Sequence, residues 1–283
     1  MKYEGFSSFL RNIFLRKEFG GFVYIVGAQK AGTTSLHSFL ACHPDIAGAS
    51  GKEAHFFDVE SAYEKGEEYY SSFFASPHPA KYALDSTPAY LYYAKAPERI
   101  HAFSPDAKIV ILLREPVSRA FSAFNMYKQA VGNAWFASQL VDANPDAKTF
   151  FMPIAEGNVS PDIDYFLDYE LSIMNGEREG DEPALIRRGI YAPQIEQYAN
   201  LFGLENILIL FSDDMRNNTK ETLQKVFSFI GIEPCDSIDF SPKHVREYTV
   251  SESGKDRIQQ VAGDFFAKDK QMLIDDYNLD VPW

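Results

Sequence analysis

Cysteine is almost absent from the sequence. Only Cys42 and Cys235 occur among its 283 residues. A chain of this length can bury a full apolar core and needs no disulfide framework. Two isolated cysteines predict a reducing compartment with two ordinary buried thiols, and they leave no cysteine set for a zinc site. We therefore expect no bound metal.

Long apolar runs are missing too. No run reaches the roughly 20 residues that a membrane-spanning helix needs. The first residues contain neither the apolar core of about 7–15 residues nor the small-residue cleavage site of a secretory signal. These absences predict a cytoplasmic protein that does not span a membrane.

Positive charge is scarce. Lys and Arg number 27 against 40 Asp and Glu, which gives a net charge of −13. Such an acidic chain argues against non-specific binding of nucleic acid. If the protein binds an anionic ligand, it must concentrate its few cations at the site. Lys30, Arg114 and Arg119 are the candidates, because they lie just after predicted strands.

The sequence is rich in short apolar runs with helical segments between them. The clearest predicted strands are Phe22–Val26, Tyr82–Asp85, Lys108–Leu113 and Asn206–Phe211. Strands that are apolar on both faces predict a parallel sheet covered by helices on both sides. We therefore predict a three-layer α/β fold with a central parallel sheet flanked by helices.

The least regular stretch is 132–190, which contains Gly, Asn, Pro and acidic residues together with a predicted aromatic helix near 163–175. We interpret it as a substrate lid or lobe within a single domain that spans 1–283. Ligands of parallel α/β sheets bind at the carboxyl ends of the strands. The loops after Val26, Asp85 and Leu113 are therefore expected to meet at one site.

The segment Phe22–Leu40 (FVYIVGAQKAGTTSLHSFL) joins a strand, a glycine-bounded loop and the start of a helix. Gly27 and Gly32 allow the backbone to bend close to a ligand. The first amides of the helix and the positive end of its dipole point at one spot, where Lys30 adds a full charge. The segment therefore predicts an anion site.

The position of the lysine decides which anion site this is. In a Walker A loop the lysine follows the second glycine, whereas here Lys30 precedes Gly32. This spacing argues against a P-loop kinase-like phosphotransferase, the alternative interpretation. The segment Ala28–Thr34 resembles the 5′-phosphosulfate loop P/A-x-K-[AGS]-G-T-[TS] of sulfotransferases that use 3′-phosphoadenosine 5′-phosphosulfate (PAPS). The resemblance implies a P-loop-like fold and PAPS binding by Gln29, Lys30, Ala31, Gly32, Thr33, Thr34 and Ser35.

A second match follows the strand that ends at Leu113. It resembles the family's 3′-phosphate motif, strand–R-[DN]-P-x-x-R-x-x-S, with Arg114, Arg119 and Ser122 in register and Glu115 in place of the usual Asp or Asn. The resemblance implies that Arg114 and Ser122 bind the 3′-phosphate of PAPS. An arginine can pair with a phosphate through two parallel hydrogen bonds, which suits this role.

Two further segments extend the resemblance over nearly the whole chain. Asp85–Tyr90 looks like the D/E-x-[ST]-P-x-Y segment of the heparan-sulfate-type and bacterial branch, and Phe265–Leu273 resembles a C-terminal helix of the bacterial members. The resemblance is weakest over 132–190. A catalytically inactive nucleotide-binding module is the remaining alternative, and the intact Lys30 and Glu53 argue against it.

The implied reaction moves a sulfuryl group in line from PAPS to an acceptor hydroxyl, with adenosine 3′,5′-bisphosphate as product and no metal. Lys30 would stabilise charge on the departing phosphate oxygen. Glu53 and His55 are the candidates for the general base, because residues i and i+2 of an extended segment face the same way. Glu53 matches the catalytic glutamate of the heparan-sulfate-type loop E-x-H-F-F-D. His55 stays open as the base or as a structural residue.

Ser86 departs from the heparan-sulfate-type pattern, in which a lysine often assists the base from this position. That loss and the acidic charge favour an acceptor hydroxyl on a small molecule, or on an acyl chain of a carrier protein, over an anionic polysaccharide. A bacterial cytoplasm suits such an acceptor. The remaining histidines, His37 among them, are interpreted as structural or surface residues.

Overall fold

The computed structural model describes residues 19–74, 80–235 and 252–283. The strands are β1 (Gly21–Gly27), β2 (Ile46–Gly48), β3 (Tyr82–Asp85), β4 (Lys108–Leu113) and β5 (Ile207–Phe211). They form one sheet in the order β2-β3-β1-β4-β5, with every pair parallel. Helices flank this sheet, so the predicted α/β class is confirmed.

The helices of the described chain lie between and after these strands. They are α1 (Thr33–Leu40), α2 (Glu60–Tyr63), α3 (Gly66–Ser71), α4 (Lys95–Phe103), α5 (Pro116–Tyr127), α6 (Ala134–Ala143), α7 (Lys148–Ala155), α8 (Ile163–Met174), α9 (Ala192–Phe202), α10 (Ser212–Asn217), α11 (Thr219–Ile230) and α12 (Glu252–Tyr277). No helix among the described residues is long and apolar enough to cross a membrane.

The chain divides into two compact units. The first takes in the described residues of Met1–Leu113 and Pro193–Val245, and the second takes in those of Arg114–Ala192 and Arg246–Trp283. The whole sheet belongs to the first unit. The prediction of a single domain with a lid or lobe at 132–190 stays a prediction.

The central position of β1 explains its unbroken apolar sequence. The strand pairs with β3 on one side and β4 on the other. Residues Val23 to Val26 have no exposed surface at all. A strand that is paired at both edges and covered on both faces gains stability from apolar side chains at every position. The sheet therefore holds the loop after Gly27 on a rigid support.

The second unit has an aromatic core built by helices. Helix α12 packs on α5 and α8, and the ring of Phe166 lies 5.2 Å from Phe124 and 4.8 Å from Phe150 between centroids. Such edge-to-face pairs add stability beyond the area they bury. The aromatic helix expected near 163–175 is α8, and residues 132–190 are more helical than the sequence suggested because α6 and α7 lie there too.

Residues 60–71 form two short helices, α2 and α3, because the chain turns at Gly66 with a positive φ of 78°. The expectation about the cysteines is wrong. Cys42 is exposed and outside any disulfide, and Cys235 is partly exposed, so the expected pair of buried thiols is not found.

We expect the Gly27→Ala substitution to destabilise the first unit. A Cβ at this position would lie 2.5 Å from Leu91 Cβ and 2.7 Å from its Cδ2. Leu91 is 2% exposed and its amide donates to Val26 O, so it cannot move freely. Overpacking of this kind costs about 1–3 kcal/mol of unfolding free energy, measured by urea denaturation.

A double-variant cycle with Leu91→Gly provides the control, because an alanine would keep the Leu91 Cβ that lies 2.5 Å from the new methyl carbon. Removing the Leu91 side chain clears the space that the new methyl needs, so the double variant should lose less stability than the sum of the two single losses. Strictly additive losses would show that the Leu91 contact is not the cause.

Candidate active site

The loop after β1 has the conformation that an anion site requires. Lys30 and Gly32 have positive φ angles of 71° and 103°. Gly32 immediately precedes α1, so the amides of Thr33 and Thr34 lie in the first turn, where no intrahelical acceptor exists. This helix end brings N–H donors and a positive dipole next to Lys30.

Two hydrogen bonds fix this loop to the sheet. The amide of Ala28 donates to Leu112 O in β4 at 2.7 Å. The buried hydroxyl of Ser212, directly after β5, donates to Ala31 O. The carboxyl ends of two other strands thus hold the loop in place.

The predicted donor-binding residues of the first unit lie along this loop and the first turn of α1. Ala31 and Thr33 are buried, Gln29, Lys30 and Ser35 are half-buried, and Gly32 and Thr34 are exposed. Among the described residues, Oε1 of Gln29 is buried without a hydrogen-bond partner. The role of each residue in binding stays a prediction.

The structure brings Glu53 and His55 together, although not for the reason predicted. Lys52 and His55 have positive φ angles of 73° and 47°, so the segment is a tight turn and not an extended strand. Nevertheless Glu53 Oε2 lies 3.2 Å from His55 Nε2. Both side chains are 37% exposed, so solvent reaches the pair.

Lys52 connects this pair to the loop after β1. Its ammonium contacts Glu53 Oε1 and lies 3.5 Å from Thr33 Oγ1. The ammonium is therefore shared between the carboxylate of Glu53 and the start of α1. The segment after β2, which the sequence analysis did not include among the meeting loops, thus contacts the start of α1 within the first unit. The expected meeting of the loops after Val26, Asp85 and Leu113 stays a prediction.

Burial and pairing act in opposite directions on Glu53 and His55. Burial would raise the pKa of Glu53, but the hydrogen bond with His55 and the nearby Lys52 outweigh it and lower the pKa to about 2. Burial would lower the pKa of His55, but its hydrogen bonds to Asp58 and Glu53 raise it to about 10. At neutral pH the pair is therefore an imidazolium beside a carboxylate.

The sequence analysis missed Asp58, which holds His55 from its other side. Asp58 Oδ2 lies 2.8 Å from His55 Nδ1, and the Asp58 side chain is only 2% exposed. With one carboxylate at each ring nitrogen, the imidazole has a fixed orientation. A signal was present, because Asp58 is the final residue of the E-x-H-F-F-D pattern.

His37, which the sequence analysis interpreted as structural or surface, contacts a buried residue. Its Nδ1 lies 2.8 Å from Ser86 Oγ, and Ser86 is completely buried. Burial and the positive charge of Lys52 lower the pKa of His37 to about 4. His37 is therefore neutral at physiological pH. It forms a hydrogen bond with the hydroxyl of Ser86, which stands where the heparan-sulfate-type pattern often has a lysine.

In the second unit, Arg114 and Ser122 stand at the start and in the second turn of α5. Arg114 is half-buried and Ser122 is 5% exposed. Glu115 caps the helix, since its two carboxylate oxygens accept from Val117 N at 2.8 Å and Ser118 N at 2.6 Å. This cap explains how a glutamate can stand where the family pattern has Asp or Asn.

Arg119 is not a ligand-facing cation, and the expectation that it might be one is corrected. Its side chain is completely buried in the second unit. The guanidinium donates to Leu185 O and, at 3.4 Å, to Ala184 O. Arg119 therefore has a structural role: it holds the backbone at 184–185.

Tyr191 and Asp269, neither of them predicted, support the backbone at Arg114. The hydroxyl of Tyr191 donates to Arg114 O at 2.7 Å. Asp269 in α12 accepts from Tyr191 N and Ala192 N, each at 2.8 Å. The C-terminal helix thus anchors the turn that holds the start of α5.

Among the residues that the structure describes, no group of three His, Cys, Asp or Glu side chains is arranged to hold a metal ion. That the reaction proceeds without a metal stays a prediction.

Comparison with known proteins identifies the family. A family model described as a sulfotransferase domain matches residues 22–252. The chain is 28% identical over 209 residues to human heparan sulfate glucosamine 3-O-sulfotransferase 6 and to the human 3B1 enzyme, covering 74% of this chain and 52% and 45% of those proteins. It spans about half the length of the curated relatives it matches. A sulfotransferase structure from Alicyclobacillus acidocaldarius shares the fold, with a TM-score of 0.66, 24% identity, and coverage of 92% of this chain and 96% of that one.

Proposed function

Because the chain belongs to the sulfotransferase family, we propose that it transfers a sulfuryl group from PAPS to the hydroxyl of an acceptor. One observation carries the proposal: Lys52 contacts Glu53 and lies 3.5 Å from Thr33 Oγ1. A carboxylate and the first residue of α1, at the end of the proposed donor loop, therefore share one ammonium. In-line transfer needs a base close to the donor, and this arrangement supplies it.

Glu53, not His55, is the proposed general base. Two carboxylates hold His55 as a cation with a pKa of about 10, so it cannot accept a proton near neutral pH. His55 would instead orient Glu53 and offset its charge. Glu53 is ionised throughout the neutral range, but a pKa of about 2 makes it a weak base while Lys52 contacts it. Any shift of Lys52 toward the donor raises the pKa of Glu53 and strengthens it as a base.

Donor binding is assigned to two sets of residues. The loop and helix start from Gln29 to Ser35 would bind the phosphosulfate end, with Lys30 and the first amides of α1 stabilising the charge that develops on the leaving phosphate. Arg114 and Ser122 are proposed to bind the 3′-phosphate. The support is the motif match, together with the rigid anchoring of each segment within its own unit.

The proposed acceptor is a hydroxyl on a small molecule or on an acyl chain of a carrier protein. The relatives named above act, by their names, on glucosamine in heparan sulfate, so a sugar hydroxyl is the competing acceptor. Two observations favour the smaller acceptor: Ser86 replaces a lysine, and the net charge of −13 opposes a polyanion. A cytoplasmic, bacterial setting stays a prediction.

Titration calorimetry with adenosine 3′,5′-bisphosphate tests the donor. The nucleotide should bind without magnesium and more tightly than ATP with magnesium, whereas the reverse order would favour the kinase alternative. Arg114→Ala should weaken nucleotide binding by about 10–100-fold, the loss expected for one charged hydrogen bond of about 1.5–3 kcal/mol.

Arg216→Ala is the matched control for this measurement. Arg216 is 63% exposed and pairs with Asp213 within α10, so its removal deletes the same charge elsewhere on the molecule. Equal losses in the two variants would show a general effect of charge and would refute the role assigned to Arg114.

Assays with labelled PAPS then test the acceptor. They should compare a β-hydroxyacyl chain on a carrier protein, small alcohols and phenols, and a glucosamine-containing oligosaccharide. Transfer to the oligosaccharide alone would refute the proposed acceptor class while leaving sulfuryl transfer intact.

A further inference from the structure

Asp85 is a carboxylate buried at the end of β3, beneath the turn that carries Glu53 and His55. It is 1% exposed. Its Oδ1 accepts from the Thr87 hydroxyl at 2.7 Å, and its Oδ2 accepts from the hydroxyls of Tyr90 at 2.9 Å and Tyr70 at 3.1 Å. Burial raises the pKa of Asp85 to about 6 against the effect of these bonds, so the group is mainly ionised above pH 7.

An ionised carboxylate fixes the direction of each of these hydrogen bonds. It can only accept, so every hydroxyl that touches it must donate its single proton to it. The remaining lone pairs of Thr87 and Tyr90 are then available only to other donors. The hydroxyls of Thr87 and Tyr90 donate to Asp85, so each can act only as an acceptor toward its other neighbours.

Those acceptors face three consecutive amides of the turn. Thr87 Oγ1 accepts from Ala54 N at 3.0 Å and lies 3.5 Å from His55 N. The Tyr90 hydroxyl accepts from Phe56 N at 3.1 Å. These amides connect Glu53 to His55, and His55 has the unfavourable positive φ angle of 47°. Such a conformation persists only where its surroundings hold it.

We infer that Asp85 is a positioning residue, which acts through Thr87 and Tyr90 to hold the turn that aims Glu53 and His55. The inference rests on the proposed role of Glu53 as the base. It assigns a task to the D-x-[ST]-P-x-Y segment: the acid, the hydroxyl and the tyrosine form one hydrogen-bonded support for the turn.

Tyr70 provides a matched control that the molecule itself contains. Its hydroxyl donates to the same Oδ2 atom as that of Tyr90, and its other hydroxyl neighbour is Tyr24, not an amide of the turn. Phenylalanine at either position keeps the ring, which for residue 70 stacks on Phe56 at 4.7 Å. The Tyr90→Phe and Tyr70→Phe variants therefore each remove one buried hydroxyl from Asp85, and only the first removes an anchor of the turn.

The experiment compares kcat, the KM for PAPS and pH profiles of the two variants, with rates normalised to the sites that bind adenosine 3′,5′-bisphosphate. Tyr90→Phe should lower kcat about 10–100-fold with an unchanged KM for PAPS, because a misplaced base slows the chemical step and not donor binding. The kcat of Tyr70→Phe should stay within about 2-fold of the wild-type value, far less than the loss expected from a misplaced base.

The pH profile separates positioning from general stability. When the turn loosens, Glu53 loses its bond to His55 and its pKa rises toward its ordinary value, so the acid limb of kcat/KM should move to higher pH in Tyr90→Phe only. Equal effects of the two variants, or a lower kcat with an unmoved acid limb, would overturn the inference.

The Glu53→Gln variant, assayed in parallel, keeps the two proposals apart. If Glu53→Gln retains wild-type turnover, the proposed base is wrong. If Glu53→Gln is inactive while Tyr90→Phe and Tyr70→Phe behave alike, Glu53 is supported as the general base. The positioning role of Asp85 is then refuted.

Discussion

Glu53→Gln is expected to lower kcat by about 10²–10⁴-fold, the usual contribution of a general base. Glutamine keeps the size and one acceptor oxygen of glutamate but cannot take a proton. Binding of adenosine 3′,5′-bisphosphate should be almost unchanged, since no step of nucleotide binding is assigned to this carboxylate. Steady-state kinetics with PAPS and calorimetry with the product nucleotide give the two measurements.

Glu53→Asp is the control, because it keeps the base and withdraws it by about one methylene. Its kcat should lie between those of wild type and Glu53→Gln. Wild-type turnover in Glu53→Gln would instead move the role of base to another residue, with His55→Asn as the next variant to assay.

The pH dependence of the pair has a defined sign. The pKa of His55 is raised from 6.5 to about 10, so the stability that its contacts contribute is complete below pH 6.5 and is lost as the pH rises through 10. The pKa of Glu53 is lowered from 4.5 to about 2, so its contribution is complete above pH 4.5 and is lost as the pH falls toward 2. Both residues therefore contribute their full stability to the turn at 52–58 between pH 4.5 and pH 6.5.

Lys30→Met is expected to lower kcat by about 10²–10³-fold, the typical cost of one group that stabilises charge in the transition state. The affinity for adenosine 3′,5′-bisphosphate should fall less than kcat, because the charge on the leaving oxygen grows during transfer and only part of it exists in the ground state. Methionine preserves much of the apolar stem, which keeps the loop packed.

Lys95→Met serves as the matched control for this prediction. Lys95 is 73% exposed and pairs with Glu60, so the same charge is removed from a surface helix. A Lys30→Met variant whose nucleotide affinity falls as much as its kcat would show that Lys30 contributes uniform binding and no selective stabilisation of the transition state.

The sequence was sufficient for four of the five strands and for the loop after β1, since these depend on local patterns, whereas the short edge strand β2 was not predicted. Strands buried on both faces are apolar without interruption, and a strand, glycines and a helix start define the loop within about 20 residues. Helices α6 and α7 were missed because Gly132, Asn133 and Pro153 interrupt their pattern. Asn133 in fact starts α6, with its side chain accepting from Phe136 N at 3.0 Å.

The site could be predicted only where residue type and short sequence spacing were enough. Contacts between distant segments could not be predicted. Glu53 and His55 were identified from their types and spacing, but their meeting depends on a turn with two positive φ angles that no short-range pattern specified. The His37–Ser86 contact joins residues 49 positions apart. Arg119 could be judged a core residue only once its carbonyl partners at 184–185 were known.

The ammonium of Lys52, shared between Glu53 and Thr33, has an evolutionary consequence. A protein with few cations uses one of them for two loops, so neither loop can change its chemistry without affecting the other. Among homologues, a lost hydroxyl at the position of Thr33 or a lost positive charge at that of Lys52 should be accompanied by a compensating change at the partner position. The sequences of the two loops are therefore expected to co-vary among homologues.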